Sequence, residues 1–188
     1  FDFETKISAK FMNEKSVVLN PKMQNILTER GFGELQNDTL VLDSFETLYL
    51  LYNNKLELKK INKNIIFDEL IQKYLQKDDD ALTRFLLYRD LRTKGYVVKD
   101  GFGFGSDFRV YEKGNFGKKD AKFLIFAFNE GTKQKIGKLY KNIHEITQMG
   151  KEPIIAVIER RGEIIYYKIN KMNFLENQSE LEMKDFNF

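Results

Sequence analysis

The N-terminal part of the chain alternates apolar and polar residues over short stretches. Residues 6–20, KISAKFMNEKSVVLN, alternate on both sides of an Asn-Glu pair, a pattern that predicts a β-hairpin. We expect the first forty residues to form short strands and turns. DTLVL (38–42) predicts a further strand, and LELKKI (56–61) predicts a strand at a sheet edge.

Three helices are predicted between residues 44 and 95. Asp43 or Ser44 caps the predicted helix SFETLYLLYNN (44–54), and Glu46 stands three residues after Asp43, which is the spacing of an N-terminal capping box. Residues 67–77 carry apolar side chains at the spacing of one helix face. Residues 78–95 start with acids, end with bases and stop at Gly95, so a third helix is expected there.

After Gly95 the pattern changes to strand, strand, helix, strand, strand. AKFLIFAF (121–128) is almost continuously apolar, as in a strand that is covered on both faces. Residues 132–149 form the amphipathic helix, and 152–159 and 163–169 the last two strands. We therefore place a domain boundary near residue 80, between residues 1–80 and residues 81–188.

Composition narrows the classes of protein and site. The chain has 188 residues, a formal net charge of +3, one histidine and no cysteine, which excludes disulfides and Cys or His-rich metal sites. No apolar run approaches the roughly 20 residues of a membrane span, and no secretory signal opens the sequence. We expect a cytoplasmic protein without a cofactor. Its 17 Phe and 9 Tyr indicate more apolar surface than one chain needs, and hence a partner chain.

The segment 85–169 carries a long ordered motif set. YRDLR, GYVVK, DFRVY, AKFLIFAF and ERRGEIIYY follow one another as in the archaeal tRNA-splicing endonuclease (tRNA-intron endonuclease) family, which this chain resembles. The resemblance implies a small N-terminal mixed α/β domain followed by a nuclease-like (restriction-endonuclease-like) α/β C-terminal domain, and a precursor tRNA substrate with a bulge-helix-bulge motif. It also implies metal-independent cleavage by a Tyr, His and Lys set, leaving a 2′,3′-cyclic phosphate and a 5′-OH.

The same resemblance assigns the candidate catalytic positions. The tyrosine that closes DFRVY is Tyr111, and the family lysine corresponds to Lys151. The family histidine position is occupied by Asp120. An exposed aspartate is ionised at neutral pH, so it is a poor proton donor and repels a phosphate. We therefore predict that no intact catalytic site remains, and that Tyr111 is a packed strand tyrosine.

Two further residues are candidates for RNA binding. His144 stands near the position where the family has an arginine that clamps a bulged base, and Tyr166 stands near the aromatic partner of that clamp. A surface or packing role for His144 remains open. The glycine-rich GFGFGSDF (101–108) lacks a GK[ST] and a following helix, so it predicts tight turns over packed phenylalanines rather than a phosphate loop.

These observations predict a structural, non-catalytic subunit of an α2β2 tRNA-splicing endonuclease that positions a catalytic sister subunit. The expected interface is the last strand and the loop before it: Glu159, Glu163, Ile164, Ile165, Tyr166 and Tyr167. Two alternatives stay open. The chain is a catalytic subunit of the same family with an altered site, or it is a stand-alone RNA-binding module.

Overall fold

A computed structural model describes residues 6–101, 103–131 and 136–169. The first part of the chain forms a six-stranded sheet in the order β3-β4-β2-β1-β5-β6. Its strands are β1 (Ile7–Met12), β2 (Lys15–Val18), β3 (Glu34–Gln36), β4 (Thr39–Leu42), β5 (Leu56–Lys60) and β6 (Lys63–Ile65). Its helices are α1 (Pro21–Glu29), α2 (Ser44–Tyr52) and α3 (Phe67–Leu75).

The hairpin of β1 and β2 is confirmed, but two expectations for this part are wrong. The helix α1 was expected to be strand and turn; Asn20 starts it by accepting hydrogen bonds from the backbone N–H of Lys22 at 3.0 Å and of Met23 at 3.3 Å. Strand β5 was expected at an edge, yet it lies between β1, to which it is parallel, and β6. The edge position belongs to β6, whose three residues are too few to show a period.

The predicted capping box at α2 is confirmed. The Asp43 side chain accepts the backbone N–H of Glu46 at 2.7 Å, and Glu46 accepts the backbone N–H of Asp43 at 3.0 Å. This reciprocal pair satisfies two of the donors that a helix start leaves free. Glu46 is buried, so the pair also brings a carboxylate into the interior.

The second part of the chain forms a five-stranded sheet in the order β11-β10-β9-β8-β7. The elements are α4 (Ala81–Thr93), β7 (Val97–Asp100), β8 (Phe108–Tyr111), β9 (Phe123–Asn129), α5 (Ile136–Gln148), β10 (Glu152–Ile158) and β11 (Ile164–Lys168). Strands β9 and β10 are parallel, and the other neighbours are antiparallel. None of the helices in the described ranges is long and apolar enough to cross a membrane.

Strand β9 is covered on both faces, as its apolar run predicted. Ile125 belongs to the main core, on the face where α4 packs, whereas Leu124 and Phe126 pack with Ile146 of α5 on the other face. Alternation along a strand explains this division, because successive side chains point to opposite faces. The two helices therefore sandwich the sheet.

The two sheets share one continuous core. Phe45 of α2 meets Phe108 of β8 edge-on, with ring centroids 5.3 Å apart, and Tyr49 meets Tyr88 of α4 at 5.8 Å. The buried Lys99 on β7 also forms an ion pair with Glu46 at 2.6 Å. The protein is thus a mixed α/β structure with two sheets in close contact, and a domain boundary at residue 80 remains a prediction.

Candidate functional site

The predicted catalytic positions lie at one end of the second sheet, where β8 ends and its neighbours β9 and β10 begin. Tyr111 closes β8, while β9 and β10 both start at this end because they are parallel to each other and β9 is antiparallel to β8. The segment before β9 is held on both sides. The Lys122 N–H donates to the Val110 carbonyl at 3.0 Å, and the Glu152 N–H donates to the Lys122 carbonyl at 2.9 Å.

Tyr111 is half-buried and supported by an aromatic neighbour. Its ring meets the ring of Phe116 edge-on, with centroids 5.0 Å apart and planes at 87°. Such edge-to-face pairs are favoured by the ring quadrupoles and contribute about 0.5–1.5 kcal/mol beyond area burial. The geometry matches a packed tyrosine, and it leaves Tyr111 on the wall of an open depression.

That depression lies over the segment between β8 and β9. It has a volume of about 650 Å³ and is lined by Tyr111, Phe116, Gly117, Lys118, Lys119 and Asp120. Asp120 is exposed. The structure therefore places the residue at the family histidine position in the same depression as Tyr111, with two lysines beside it. Of these lining residues, the sequence analysis identified only Tyr111 and Asp120. The basic stretch GNFGKK (114–119) could have indicated the others.

Lys151 approaches the same segment from the start of β10. Its Nζ donates to the carbonyl oxygen of Ala121 at 2.8 Å, next to Asp120, and the side chain is half-buried. A lysine has three donors, so this hydrogen bond orients the ammonium group and leaves two donors for other acceptors. All three predicted catalytic positions are consequently brought to one end of the sheet.

The depression and the approach of Lys151 bring together three lysines and one aspartate at this end of the sheet. Ammonium groups at Lys118, Lys119 and Lys151 can compensate a phosphate charge, whereas a carboxylate at Asp120 opposes it. In the described ranges no three acidic or histidine side chains cluster closely enough to hold a metal ion. The set therefore resembles a phosphate-binding edge that lacks an imidazole.

The two residues proposed to contact RNA lie on opposite sides of the sheet. His144 is exposed on α5, with Nε2 3.1 Å from Nε2 of Gln148. Tyr166 lies on the α4 face and donates its hydroxyl to Asp90 at 2.5 Å. Burial is the main cause that raises the pKa of Tyr166 above its usual value, and the hydrogen bond to the Asp90 carboxylate raises it further. The two side chains do not form a joint clamp within one chain, and their contact with RNA remains a prediction.

The predicted interface residues divide between two faces and a loop. Ile164 and Tyr166 pack against the main core, whereas Ile165 and Tyr167 are 38% and 51% exposed on the other face. Glu163 is exposed in the turn before β11. In the described part of the second sheet, β11 is an edge strand, with a neighbour on one side only.

The glycine-rich segment 101–108 turns tightly beside the sheet. A Cβ on Gly101 would lie 1.9 Å from the Ser106 carbonyl oxygen, so only glycine fits there. Phe108 is fully buried and Phe104 packs against the cluster beneath α5, as predicted, while Phe102 lies outside the described residues. Asp107 holds the end of the turn by accepting the Ala127 N–H at 2.7 Å. The segment serves packing.

Comparison with known proteins gives the same family over both parts of the chain. Residues 81–166 match the family model described as tRNA intron endonuclease, catalytic C-terminal domain, and residues 7–71 match its N-terminal domain. The chain is similar to the tRNA-splicing endonuclease of Methanococcus maripaludis, with 33% identity over 164 residues, covering 87% of this chain and 93% of the relative. The tRNA-splicing endonuclease of Thermococcus onnurineus is 30% identical over 172 residues, covering 91% of this chain and 97% of the relative.

Proposed function

Because the chain belongs to the tRNA intron endonuclease family, we propose that it is the structural, non-catalytic subunit of a heteromeric tRNA-splicing endonuclease. In this role it works in the cytoplasm, positions a catalytic sister subunit, and helps to remove introns from precursor tRNA at bulge-helix-bulge motifs. The part from α4 onward is the nuclease-like domain in this proposal.

The observation that carries the proposal is the identity of residue 120. Cleavage of RNA by its own 2′-OH needs a proton donor at the leaving 5′-oxygen. The position where the family has histidine holds Asp120, whose exposed side chain ends in a carboxyl group instead of an imidazole. An ionised carboxylate cannot donate a proton and opposes the approach of the phosphate.

An edge strand supports assembly with a sister subunit. Strand β11 has one strand neighbour among the described residues, and it exposes Ile165 and Tyr167 on one face. An open edge is a template for pairing with a second chain, and pairing removes its unpaired backbone groups from water. This geometry supports an α2β2 assembly in which β11 contacts the catalytic subunit.

One observation favours the alternative that this chain cuts RNA itself. Tyr111 and Lys151 both remain at the edge that carries residue 120, and Lys151 is oriented by its hydrogen bond to Ala121. In that case the products are a 2′,3′-cyclic phosphate and a 5′-OH, formed without a metal. A different group would have to supply the proton that Asp120 cannot.

Cleavage of a labelled bulge-helix-bulge precursor tRNA separates the two roles. The purified chain alone is expected not to cut, while its complex with the catalytic subunit cuts. Tyr111→Phe in this chain is expected to leave the rate of the complex unchanged, like the control Tyr52→Phe on α2. Cutting by the lone chain, with a loss of about 100-fold or more on Tyr111→Phe, would establish the catalytic alternative instead.

A gain-of-function variant tests whether the missing histidine at position 120 explains why the lone chain does not cleave RNA. Asp120→His restores an imidazole beside Tyr111 and Lys151, and it should give the lone chain measurable cleavage. The exposed side chain at this position makes loss of folding a minor concern. A lone Asp120→His chain that folds, binds the RNA and still leaves it intact would show that more than the histidine is missing.

A further inference from the structure

A second concave surface lies directly beside the depression at Tyr111. It has a volume of about 440 Å³. Phe116 and Lys118 line both surfaces, so the two are continuous. We call the second surface the flanking groove; its lining residues are Glu29, Arg30, Arg92, Gly95, Tyr96, Val97, Gly114, Phe116 and Lys118.

The flanking groove is built where the two sheets meet. The end of α1 supplies one wall, and the start of β7 with the segment after β8 supplies the other. Gly31 permits this contact, since a Cβ there would lie 2.5 Å from Cγ1 of Val97. Arg92 joins the walls: its guanidinium donates to the Arg30 carbonyl at 2.9 Å and to the Tyr96 carbonyl at 3.2 Å.

The groove carries an excess of positive charge. Arg30, Arg92 and Lys118 line it against one carboxylate, that of Glu29. Arg92 is only 5% exposed, and its guanidinium lies 3.8 Å from the centroid of the Phe32 ring. A charge held in a low-dielectric wall is screened less by salt than one on a free surface lysine, and a concave shape focuses its field.

We propose that the flanking groove binds the ribose–phosphate backbone of precursor tRNA. This inference rests on the proposed function, because it takes the substrate to be RNA. The groove is open, basic and continuous with the candidate site, so a polymer that crosses one surface enters the other. The chain then contacts RNA directly, even though it does not cut it.

The chemistry of the lining favours backbone contact over reading of base sequence. Guanidinium and ammonium groups pair with phosphate oxygens irrespective of the base. The rings of Tyr96 and Phe116 offer apolar surface for a ribose or an unstacked base, and Lys113 lies 5.1 Å from the Tyr96 ring centroid at the rim. Binding in the groove should therefore be sensitive to salt and tolerant of sequence.

The test uses two substitutions of opposite sign on one wall. Arg30→Gln removes a positive charge, and Glu29→Lys, at an exposed residue that ends α1, adds two units of charge. Lys22→Gln is the matched control, because Lys22 is exposed in the first turn of the same helix and does not line the groove. The probe is a fluorescent bulge-helix-bulge RNA with 2′-deoxy residues at both cut positions, which prevents cleavage by a 2′-OH.

Anisotropy titrations of the complex with the catalytic subunit, over a range of KCl concentrations, give affinity and salt slope. Arg30→Gln should weaken binding about three- to tenfold and reduce the salt slope by about 0.7–0.9, the value for one lost phosphate contact. Glu29→Lys should tighten binding and steepen the slope, and Lys22→Gln should change neither.

Equal affinities and slopes for wild type, Arg30→Gln and Glu29→Lys would overturn the groove proposal. Competition by inorganic phosphate at the concentration of the RNA would overturn it too, since a backbone site needs several linked phosphates. The cleavage assay keeps this failure distinct from failure of the proposed function. A complex that cuts precursor tRNA while the groove variants bind like wild type refutes the groove alone.

Discussion

Removing the buried lysine between the two sheets should destabilise the protein strongly. The Lys99 side chain is 5% exposed and that of Glu46 is 1% exposed, and their ion pair measures 2.6 Å. Lys99 also donates to the Gly33 carbonyl at 2.9 Å. The variant Lys99→Met keeps most of the side-chain volume and removes the charge. It leaves a buried carboxylate without its cation and a carbonyl without this donor.

The magnitude follows from what remains around Glu46. Breaking one side of a buried ion pair costs about 3–5 kcal/mol. Glu46 would keep its hydrogen bonds from the backbone N–H groups of Gly33, at 3.0 and 2.9 Å, and of Asp43, at 3.0 Å. These donors still stabilise the carboxylate, so we expect a loss of about 3 kcal/mol in the free energy of unfolding, at the low end of that range.

Urea unfolding of the purified chain, followed by far-UV circular dichroism, measures this loss. With a slope of about 2 kcal/mol per M, the midpoint should fall by about 1.5 M. The control is Lys59→Met on β5, whose ion pair with Glu57 at 3.0 Å is 48% and 40% exposed. Exposed pairs contribute about 0–1 kcal/mol, so its midpoint should hardly move.

Two results would refute this reasoning. A loss below about 1 kcal/mol for Lys99→Met would mean that the buried pair contributes no more than an exposed one. A double-mutant cycle with Glu46→Gln is the second check, because the two residues touch and should couple. Effects that simply add in the cycle would place the loss in packing rather than in the ion pair.

Three further substitutions examine the interface, the half-buried carboxyl group of Asp43 and the contact between the sheets. Ile165→Lys should abolish co-purification with the catalytic subunit and precursor tRNA cleavage. The control Ile61→Lys, at a residue 90% exposed in the turn between β5 and β6, should abolish neither; wild-type yield of both complexes would place the interface elsewhere. Burial, with two neighbouring carboxylates, raises the pKa of Asp43 well above 3.8, so the folded chain holds that proton more tightly than the unfolded chain. Stability from this group falls as pH rises above about 3.8, so the stability of Asp43→Asn relative to the wild type should increase as the pH rises above that value; a constant difference in urea midpoint would contradict the assignment. Gly31→Ala should lower the free energy of unfolding by about 2 kcal/mol or more, because the added Cβ would clash with Val97. The control Gly162→Ala should lower it by about 1 kcal/mol, because Gly162 also has a positive φ but has open space around it. Equal shifts of the urea midpoint would show that the two sheets separate easily at Gly31.

Local features of the chain could be predicted from the sequence because they depend on neighbours a few residues apart. The capping box of Asp43 and Glu46 spans three positions, and the amphipathic pattern of α5 repeats within each turn. The continuous apolar run of β9 indicated a strand covered on both faces. The helix α1 was missed although Asn20 and Pro21 are strong start signals, because the short alternating stretches before it favoured strands.

The candidate site shows where such reasoning stops. The family resemblance pointed to Tyr111, Asp120 and Lys151, but their convergence depends on β9 running antiparallel to β8 and parallel to β10. Strand order and direction are properties of pairing between distant segments, which no local pattern encodes. The edge position of β6, rather than β5, was decided in the same way, by a strand of three residues.

Contacts between the two sheets were decided by the tertiary structure alone. Lys99 and Glu46 are 53 positions apart, and the hydrogen bond from Arg92 to the Arg30 carbonyl spans 62 positions. The sequence indicates a helix-capping role for Glu46, but it does not indicate that any of these side chains is buried. The ion pair forms only when α2 packs against β7, and the wall of the basic groove forms only when the end of α1 packs beside β7. The energy of a charge depends on the solvent and the partners that folding places around it.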